Sequence, residues 1–134
     1  MNEKRVWLYY RAADDGNSAA VLRAQKRRLE ACAREHNFEI VGCSEDVGNA
    51  GRSECSGLLE FEAAMKRQEV DILLLDKLSC LGHASGEAVR YWSFLREHNV
   101  RLYTVAEEEI YLDMRTLFLE LFGNNKSELD SPPL

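Results

Sequence analysis

Short apolar runs alternate with segments of helical periodicity, and this alternation constrains the fold more than any other feature of the chain. The runs are residues 6–10 (VWLYY), 38–43 (FEIVGC), 71–76 (DILLLD) and 100–105 (VRLYTV). Short runs rich in β-branched and aromatic residues, or in leucine, are typical of buried strands. Strands joined through helices need crossover connections and form a mostly parallel sheet covered on both faces. We therefore predict a three-layer α/β/α fold with a mostly parallel sheet of four to five strands, in which DILLLD is a central strand.

Three helices are predicted between the strands. The first starts at Ser18, a suitable N-cap, and ends before Asn37, which tolerates the left-handed turn that stops a helix. Its inward face, at steps of three and four residues, consists of Leu22, Gln25, Leu29 and Cys32. Residues 57–67 and 85–98 form the other two helices, and each leads into the next strand.

One short motif occurs twice. Residues 33–41 and 95–103 both carry Arg-Glu-His-Asn directly before an apolar run. A basic, polar last turn suits the negative end of a helix, and Asn favours the turn that follows it. We interpret the motif as one type of helix-ending turn used twice, so His36 and His98 are predicted to be helix-end residues and not ligands or bases.

Size, charge and cysteine spacing narrow the class of protein. The 134 residues fit one domain with a single core, and the formal net charge of -6 predicts weak or absent DNA binding by this chain alone. We expect a cytoplasmic protein without membrane association, because no signal-peptide pattern is present and no apolar run approaches the ~20 residues of a membrane span. The cysteines form no CxxC pair, so we expect free thiols, no metal and no cofactor; they are Cys32, Cys43, Cys55 and Cys80.

The last part of the chain has a different pattern. Residues 1–110 account for the α/β domain, residues 111–123 (YLDMRTLFLELFG) for an amphipathic helix, and residues 124–134 for a polar tail expected to be disordered. The helix either closes the core or exposes an apolar stripe for self-association. In the second case a homodimer would form through Met114, Leu117, Phe118, Leu121 and Phe122.

Ionisable residues follow three of the predicted strands. Arg11 ends the first strand, Asp46 follows the second, and Asp76 and Lys77 end the third. Ligands of open α/β sheets bind beyond the carboxyl ends of the strands, so we expect these side chains to face one rim. Gln25 interrupts the apolar face of the first helix and is expected to point toward the same rim, with a satisfied core glutamine as the alternative. The loop at 46–57 (DVGNAGRSECSG) does not match the phosphate-binding pattern GxxxxGK[ST], so a nucleotide site is not favoured.

These segments, in this order, resemble the catalytic domain of the resolvase and invertase family of serine recombinases. The matching segments are YYRAA (9–13), LRAQKRRLEACA (22–33), EDVGNAGRSECSGLLEFEAAM (45–65) and DILLLDKLSCLG (71–82). The resemblance covers residues 5–110 and implies the resolvase fold. It also implies a chemistry in which a serine two residues after the arginine attacks a DNA phosphate, forms a phosphoserine link, and exchanges strands within a tetramer. Arginines stabilise the charge on the phosphoryl oxygens.

The resemblance assigns family-site positions, and half of them are substituted. Those retained are Arg11, Gln25, Asp46 and Asp76; those substituted are Ala13, Cys55, Lys77 and Cys80. Ala13 stands at the nucleophile position and has no oxygen. The cysteines and the lysine replace arginines, and lysine cannot make the planar two-pronged contact that phosphate oxygens accept. We therefore expect no intact catalytic set.

Several interpretations of these residues stay open. The domain is catalytically inactive and serves protein interaction or regulation, or it retains a role in DNA binding or recombination with a partner chain. A third interpretation is an unrelated α/β enzyme that holds a small phosphorylated ligand with Arg11, Gln25 and Lys77. A fourth is a solvated rim with an ion pair between Arg11 and Asp76 and no ligand. A redox pair or soft-metal site formed by Cys55 and Cys80 is a further alternative.

Overall fold

A computed structural model describes residues 4–48, 55–81 and 85–110. Within these ranges the chain forms strand β1 (Arg5–Ala12), helix α1 (Ser18–Glu35), strand β2 (Glu39–Val47), helix α2 (Ser56–Lys66) and strand β3 (Ile72–Leu75). A short 3₁₀ turn (Leu78–Leu81), helix α3 (Ser85–Glu97), strand β4 (Arg101–Thr104) and strand β5 (Glu108–Glu109) follow. The predicted alternation of strands and helices is confirmed.

The strands form one sheet in the order β2-β1-β3-β4-β5. The pairings of β1 with β2, β1 with β3 and β3 with β4 are parallel, and β5 is antiparallel to β4. The DILLLD run is confirmed as the central strand, since all residues of β3 are buried. β2 extends to Val47, past the predicted end at residue 43, because β1 pairs with it as far as Ala12.

Two hydrophobic clusters cover opposite faces of the sheet. On one face, α1 packs Leu22 and Leu29 against alternate residues of β1 such as Leu8. On the other face, α2 and α3 pack Phe61 and Leu95 with residues of opposite parity, including Tyr9, Leu73, Leu75 and Leu102. The period of two along each strand divides the residues between these clusters. The three-layer α/β/α architecture is therefore confirmed.

The helix ends confirm one prediction and correct another. Asn37 and Asn99 both adopt left-handed conformations, with φ of 58° and 60°. His36 and His98 each donate from Nδ1 to the backbone carbonyl four residues earlier, at 2.9 Å in both cases, so their interpretation as helix-end residues is confirmed. Ser18 is not the N-cap: α1 begins at Ser18, and the N-cap is Asn17, which makes no side-chain capping bond.

The predictions for the end of the chain lie outside the described residues. They comprise the amphipathic helix at 111–123, the disordered tail at 124–134, and the homodimer surface of Met114, Leu117, Phe118, Leu121 and Phe122. They stay predictions.

Candidate active site

Arg11, at the end of β1, makes its contacts on the face of the sheet covered by α2. Its register partner on β2 is Asp46, and the two side chains form an ion pair with 3.6 Å between Nη2 and Oδ2. Nη2 also donates to the Tyr9 hydroxyl at 2.7 Å and to Cys55 Sγ at 3.0 Å, while Nη1 donates to the Gly48 carbonyl at 3.1 Å. The Arg11 side chain is only 7% exposed. The guanidinium therefore lies inside a network of protein groups and is not presented to solvent.

Asp46 connects this network to helix α2. Its carboxylate accepts a bond from the Tyr9 hydroxyl at 2.7 Å and two from the backbone N–H groups of Gly57 and Leu58 at 2.8 and 3.0 Å. Those N–H groups belong to the first turn of α2, which has no partner for them within the helix. Asp46 thus caps α2 from a neighbouring strand, and Cys55, the N-cap residue by position, makes no side-chain capping bond.

Gly57 allows this close approach. A side-chain carbon at Gly57 would collide with the Glu45 carbonyl oxygen, so α2 can start against β2 only if this residue has no side chain. Ser44, two residues before Asp46 on the same face, donates to the Gly57 carbonyl at 2.6 Å and accepts from the Trp7 indole at 2.9 Å. The end of β2 and the start of α2 are therefore joined by several side-chain bonds.

Gln25 reaches the network from the other face of the sheet, and both ends of its amide bind the backbone of Arg11. Oε1 accepts from the Arg11 N–H at 3.2 Å, and Nε2 donates to the Arg11 carbonyl at 2.7 Å. Gln25 is buried. The alternative of a satisfied core glutamine is the correct one, and its location at the end of β1 agrees with the predicted rim.

Asp76 and Lys77 do not join Arg11. Asp76 accepts two bonds from Arg28 of α1, at 2.9 and 2.8 Å, and Lys77 is exposed. The ion pair between Arg11 and Asp76, one of the alternatives left open, is wrong, because Arg11 pairs with Asp46 and Asp76 pairs with Arg28. The reason is strand parity: Leu8 aligns with Leu74 on the face covered by α1, so Asp76, two residues after Leu74, has the parity of that face.

The remaining substituted positions lie at and beside the network. Cys80 is buried on the 3₁₀ turn, and burial raises the pKa of its thiol, although the nearby Arg11 charge acts in the opposite direction. Ala13 is exposed directly after β1, and Asp14 and Asp15 beside it are exposed as well. The position that the resemblance assigns to the nucleophile is thus reachable from solvent and carries a methyl group, next to two exposed carboxylates.

The arrangement forms a closed ion-pair network. Burial, and next the hydrogen bond to Asp46, raise the pKa of the Tyr9 phenol, so Tyr9 stays protonated and bridges the guanidinium to the carboxylate. Arg11 Nε is buried and has no hydrogen-bond partner among the described residues. Of the eight predicted positions, Arg11, Gln25, Asp46 and Cys55 come together, whereas Asp76 pairs on the opposite face of the sheet.

Neither a metal cluster nor a membrane-spanning helix is found in the described part of the chain. Residues 4–48, 55–81 and 85–110 contain no group of three or more His, Cys, Asp or Glu side chains that could hold a metal ion. Within the same ranges, no helix combines the length and the apolar character that crossing a membrane requires.

Sequence reasoning missed four residues that shape the site. Tyr9 and Ser44 lie two residues from Arg11 and Asp46 on their strands, so a period of two would have placed each pair on one face. Gly57, directly after Cys55-Ser56, marks a close backbone approach. Arg28 lies one turn after Gln25 on α1, and no sequence signal connects it to Asp76.

Comparison with known structures agrees with this fold. The N-terminal catalytic domain of TP901-1 integrase superposes with a TM-score of 0.71 at 20% identity, covering 95% of this chain and 99% of that one. A resolvase family site-specific recombinase from Streptococcus pneumoniae gives a TM-score of 0.75 at 24% identity, covering 95% and 90%. The C-terminal catalytic domain of ISC1926 TnpA, an IS607-like serine recombinase, gives 0.68 at 17% identity, covering 92% and 82%. At these identities the likeness shows the shared fold.

Sequence comparison extends this result to the family. No curated protein is significantly similar to the chain. The model of the resolvase N-terminal domain, however, matches residues 6–128, which is most of the sequence. The chain therefore belongs to the resolvase family, and the part of the family that it matches is the N-terminal domain.

Proposed function

We propose that this chain is a catalytically inactive resolvase-type domain that acts as a protein-interaction or regulatory module in site-specific DNA recombination. The observation that carries the proposal is the closed network around Arg11. Its guanidinium donates to Tyr9, Cys55 and Gly48 and is paired with Asp46, while its side chain is only 7% exposed. An arginine committed to these partners has no free two-pronged edge to offer a phosphate.

The residues around Ala13 support the same conclusion. Serine attack on a phosphodiester forms one P–O bond and breaks another, and it requires an oxygen at the attacking position and positive charge at the phosphoryl oxygens. Ala13 supplies no oxygen, and the exposed neighbours Asp14 and Asp15 add negative charge where a phosphate would approach. Loss of one stabilising donor costs about a hundredfold or more in rate, and here three arginine positions hold Cys55, Lys77 and Cys80.

The test is formation of a covalent protein–DNA adduct. The purified chain is incubated with an end-labelled library of duplex DNA of random sequence, and adducts are separated on a denaturing gel. We expect none from the unmodified chain and none from Ala13→Ser alone, because the arginines are still missing. An adduct formed by the unmodified chain contradicts the proposal and favours the alternative, a residual role in DNA recombination.

A second arm separates an inactive site from a misfolded protein. Ala13→Ser combined with Lys77→Arg restores the attacking oxygen and one guanidinium at two exposed positions, so it leaves the buried network intact. Circular dichroism confirms that each variant is folded before the gel is interpreted.

The proposal includes self-association and a cytoplasmic location. Self-association rests on the apolar stripe of residues 111–123. Light scattering at high protein concentration measures it, with Leu117→Glu and Leu121→Glu as the disrupting pair. A monomer from the unmodified chain contradicts this part of the proposal.

A further inference from the structure

A polar cleft lies at the end of the sheet opposite to Arg11. Lys4 directly precedes β1, Asp71 directly precedes β3, and Arg101 begins β4. Because these strands are parallel, their starting residues meet at one edge of the sheet, and Arg11 is about 20 Å away along β1. The cleft at this edge has a volume of about 410 Å³, which is within the range of sites for small molecules. It is therefore separate from the Arg11 network.

The cleft presents positive charge that the described chain does not fully neutralise. Its cations are Lys4, Arg96 and Arg101, and all three residues are exposed. Within residues 4–48, 55–81 and 85–110, no carboxylate lies within ion-pair distance of Lys4 or Arg96. Arg101 pairs with Glu109 at 3.8 Å, a distance too long for a hydrogen bond. The cleft thus offers an anion the donors of one ammonium and two guanidinium groups.

The two carboxylates that line the cleft differ in their partners. Asp71 accepts three bonds from Arg5, from the backbone N–H at 2.8 Å, from Nε at 3.0 Å and from Nη2 at 3.1 Å. Arg5 does not line the cleft, so the charge of Asp71 is neutralised from outside it. Glu109, whose side chain is 22% exposed, has only the long contact with Arg101 among the described residues. Its carboxylate can accept hydrogen bonds from the hydroxyl groups of a ligand.

The end of α3 holds two of the lining residues in place. The Arg96 guanidinium carbon lies 5.1 Å from the centre of the Trp92 ring, a cation–π contact that orients the guanidinium without removing its charge. Asn99 has the left-handed φ of 60°, and its backbone N–H donates to the Arg96 carbonyl at 3.0 Å. One helix-ending turn therefore fixes the backbone from which both side chains extend.

We infer that this cleft binds a small phosphorylated molecule that also carries hydroxyl groups, such as a sugar phosphate. Guanidinium and ammonium groups bind phosphate oxygens through charge-assisted hydrogen bonds. The Asn99 amide can donate to and accept from a hydroxyl group, and the Glu109 carboxylate can accept from one. An apolar ligand would gain little, because the described residues that line the cleft are charged or polar apart from Val100. The inference goes beyond the proposed function and does not depend on the Arg11 site.

The test is isothermal titration calorimetry of the full chain with glucose 6-phosphate at constant ionic strength, with glucose and inorganic phosphate as comparison ligands. Lys4→Gln with Arg96→Gln removes two cations from the cleft. The control Arg34→Gln with Arg90→Gln removes the same charge from exposed residues that do not line it. Thermal unfolding verifies that each protein is folded.

A second variant, Asn99→Gly, tests the hydroxyl contact separately. Glycine accepts the left-handed conformation of Asn99, so this variant loses the amide without strain. Asn37→Gly is the matched control, because Asn37 ends α1 with φ of 58° and does not line the cleft. We expect Asn99→Gly to bind glucose 6-phosphate roughly fivefold more weakly, as loss of one hydrogen bond predicts, and to bind inorganic phosphate as the unmodified chain does.

We expect glucose 6-phosphate to bind the unmodified chain and the Arg34/Arg90 control with similar affinity, inorganic phosphate to bind more weakly, and glucose not to bind. The Lys4/Arg96 variant should bind glucose 6-phosphate at least about tenfold more weakly, since it loses hydrogen bonds to a charged group. Absence of saturable binding of glucose 6-phosphate by the unmodified chain overturns the inference, as does an equal loss in the Arg34/Arg90 control. Inorganic phosphate that binds as tightly as glucose 6-phosphate overturns the assignment of a ligand with hydroxyl groups.

Discussion

Two arginine–aspartate pairs lie on opposite faces of the sheet, and they differ in environment more than in chemistry. Arg28 and Asp76 are 2.8 Å apart, with the arginine side chain 49% exposed. Arg11 and Asp46 are 3.6 Å apart, with side chains only 7% and 6% exposed. The shorter pair is the more solvated one, and solvent reduces the value of an ion pair. The shorter distance therefore does not identify the ion pair that contributes more to the stability of the fold.

The two carboxylates also differ in the groups that they bind. Asp46 also accepts bonds from Tyr9 and from the first turn of α2, whereas Asp76 binds one guanidinium that can rehydrate. Removal of Asp46 leaves Arg11 buried without a counter-charge and α2 without its cap. Removal of Asp76 leaves an exposed arginine in water.

The largest expected effect comes from Asp46→Asn. This change keeps the shape of the side chain but removes the charge opposite Arg11, and an unpaired buried charge costs about 3–5 kcal/mol of the free energy of unfolding. Urea denaturation followed by circular dichroism measures it. A loss no larger than that of Asp76→Asn would mean that the two pairs are equivalent.

Gly57→Ala tests the close approach of α2 to β2. The added carbon would meet the Glu45 carbonyl and push α2 away from Asp46, and such overpacking costs about 1–3 kcal/mol. Glu60→Ala, three residues later on the same helix, is the matched control because it changes an exposed side chain and adds no atom at the contact with β2. Unfolding midpoints that coincide for the two variants would show that the helix can shift without cost.

Asp76→Asn measures the contribution of the more exposed of the two ion pairs. Because Arg28 is about half exposed, the expected loss is about 0.5–1 kcal/mol, and added salt should shrink it further. Thermal unfolding at low and high salt provides the measurement. A loss of stability that does not change with salt would place this pair in the same class as the buried one.

The smallest effect concerns a third pair, His36 and Glu108. The hydrogen bond to the Cys32 carbonyl, and next Glu108, raise the pKa of His36 above its ordinary value of 6.5. The folded state therefore binds the proton more tightly than the unfolded state. The stabilisation is fully present below pH 6.5 and is lost as the pH rises through the raised value.

Glu108→Gln should flatten part of this pH dependence, and His36→Gln should abolish it. The measurement is the free energy of unfolding of both single variants and the double variant over this pH range. A pH profile unchanged in Glu108→Gln would assign the whole effect to the backbone bond.

The layered fold was predictable because the hydrophobic periodicity and the residues that end helices indicate the same order of strands and helices along the chain. The apolar β3 run gave the central strand, and the two Asn residues after α1 and α3 gave the left-handed turns. β5 was not separately predictable, since Glu108–Glu109 has no apolar pattern and forms by pairing with β4.

The site was predictable as a set of positions but not as a set of contacts. Arg11, Gln25 and Asp46 do meet, as their places along the elements suggested, and Cys55, a position assigned by the resemblance, joins them. Arg11 pairs with Asp46 and not with Asp76 because Asp46 lies on the same face of the sheet as Arg11. Asp76 lies on the face covered by α1 and pairs there with Arg28. Arg28 was missed because its pairing with Asp76 joins residues 48 positions apart.

The two-ended amide bond from Gln25 to the Arg11 backbone bears on how such a domain could be repurposed. It fastens the peptide unit that leads into residues 12 and 13, whatever their side chains are. The direction of the backbone at residues 12 and 13 is therefore fixed by the bonds of Gln25 to Arg11 and not by the side chains that these two residues carry. A reactive side chain introduced at position 13 would start from a backbone whose direction is already set. Only the side chain would then have to be designed.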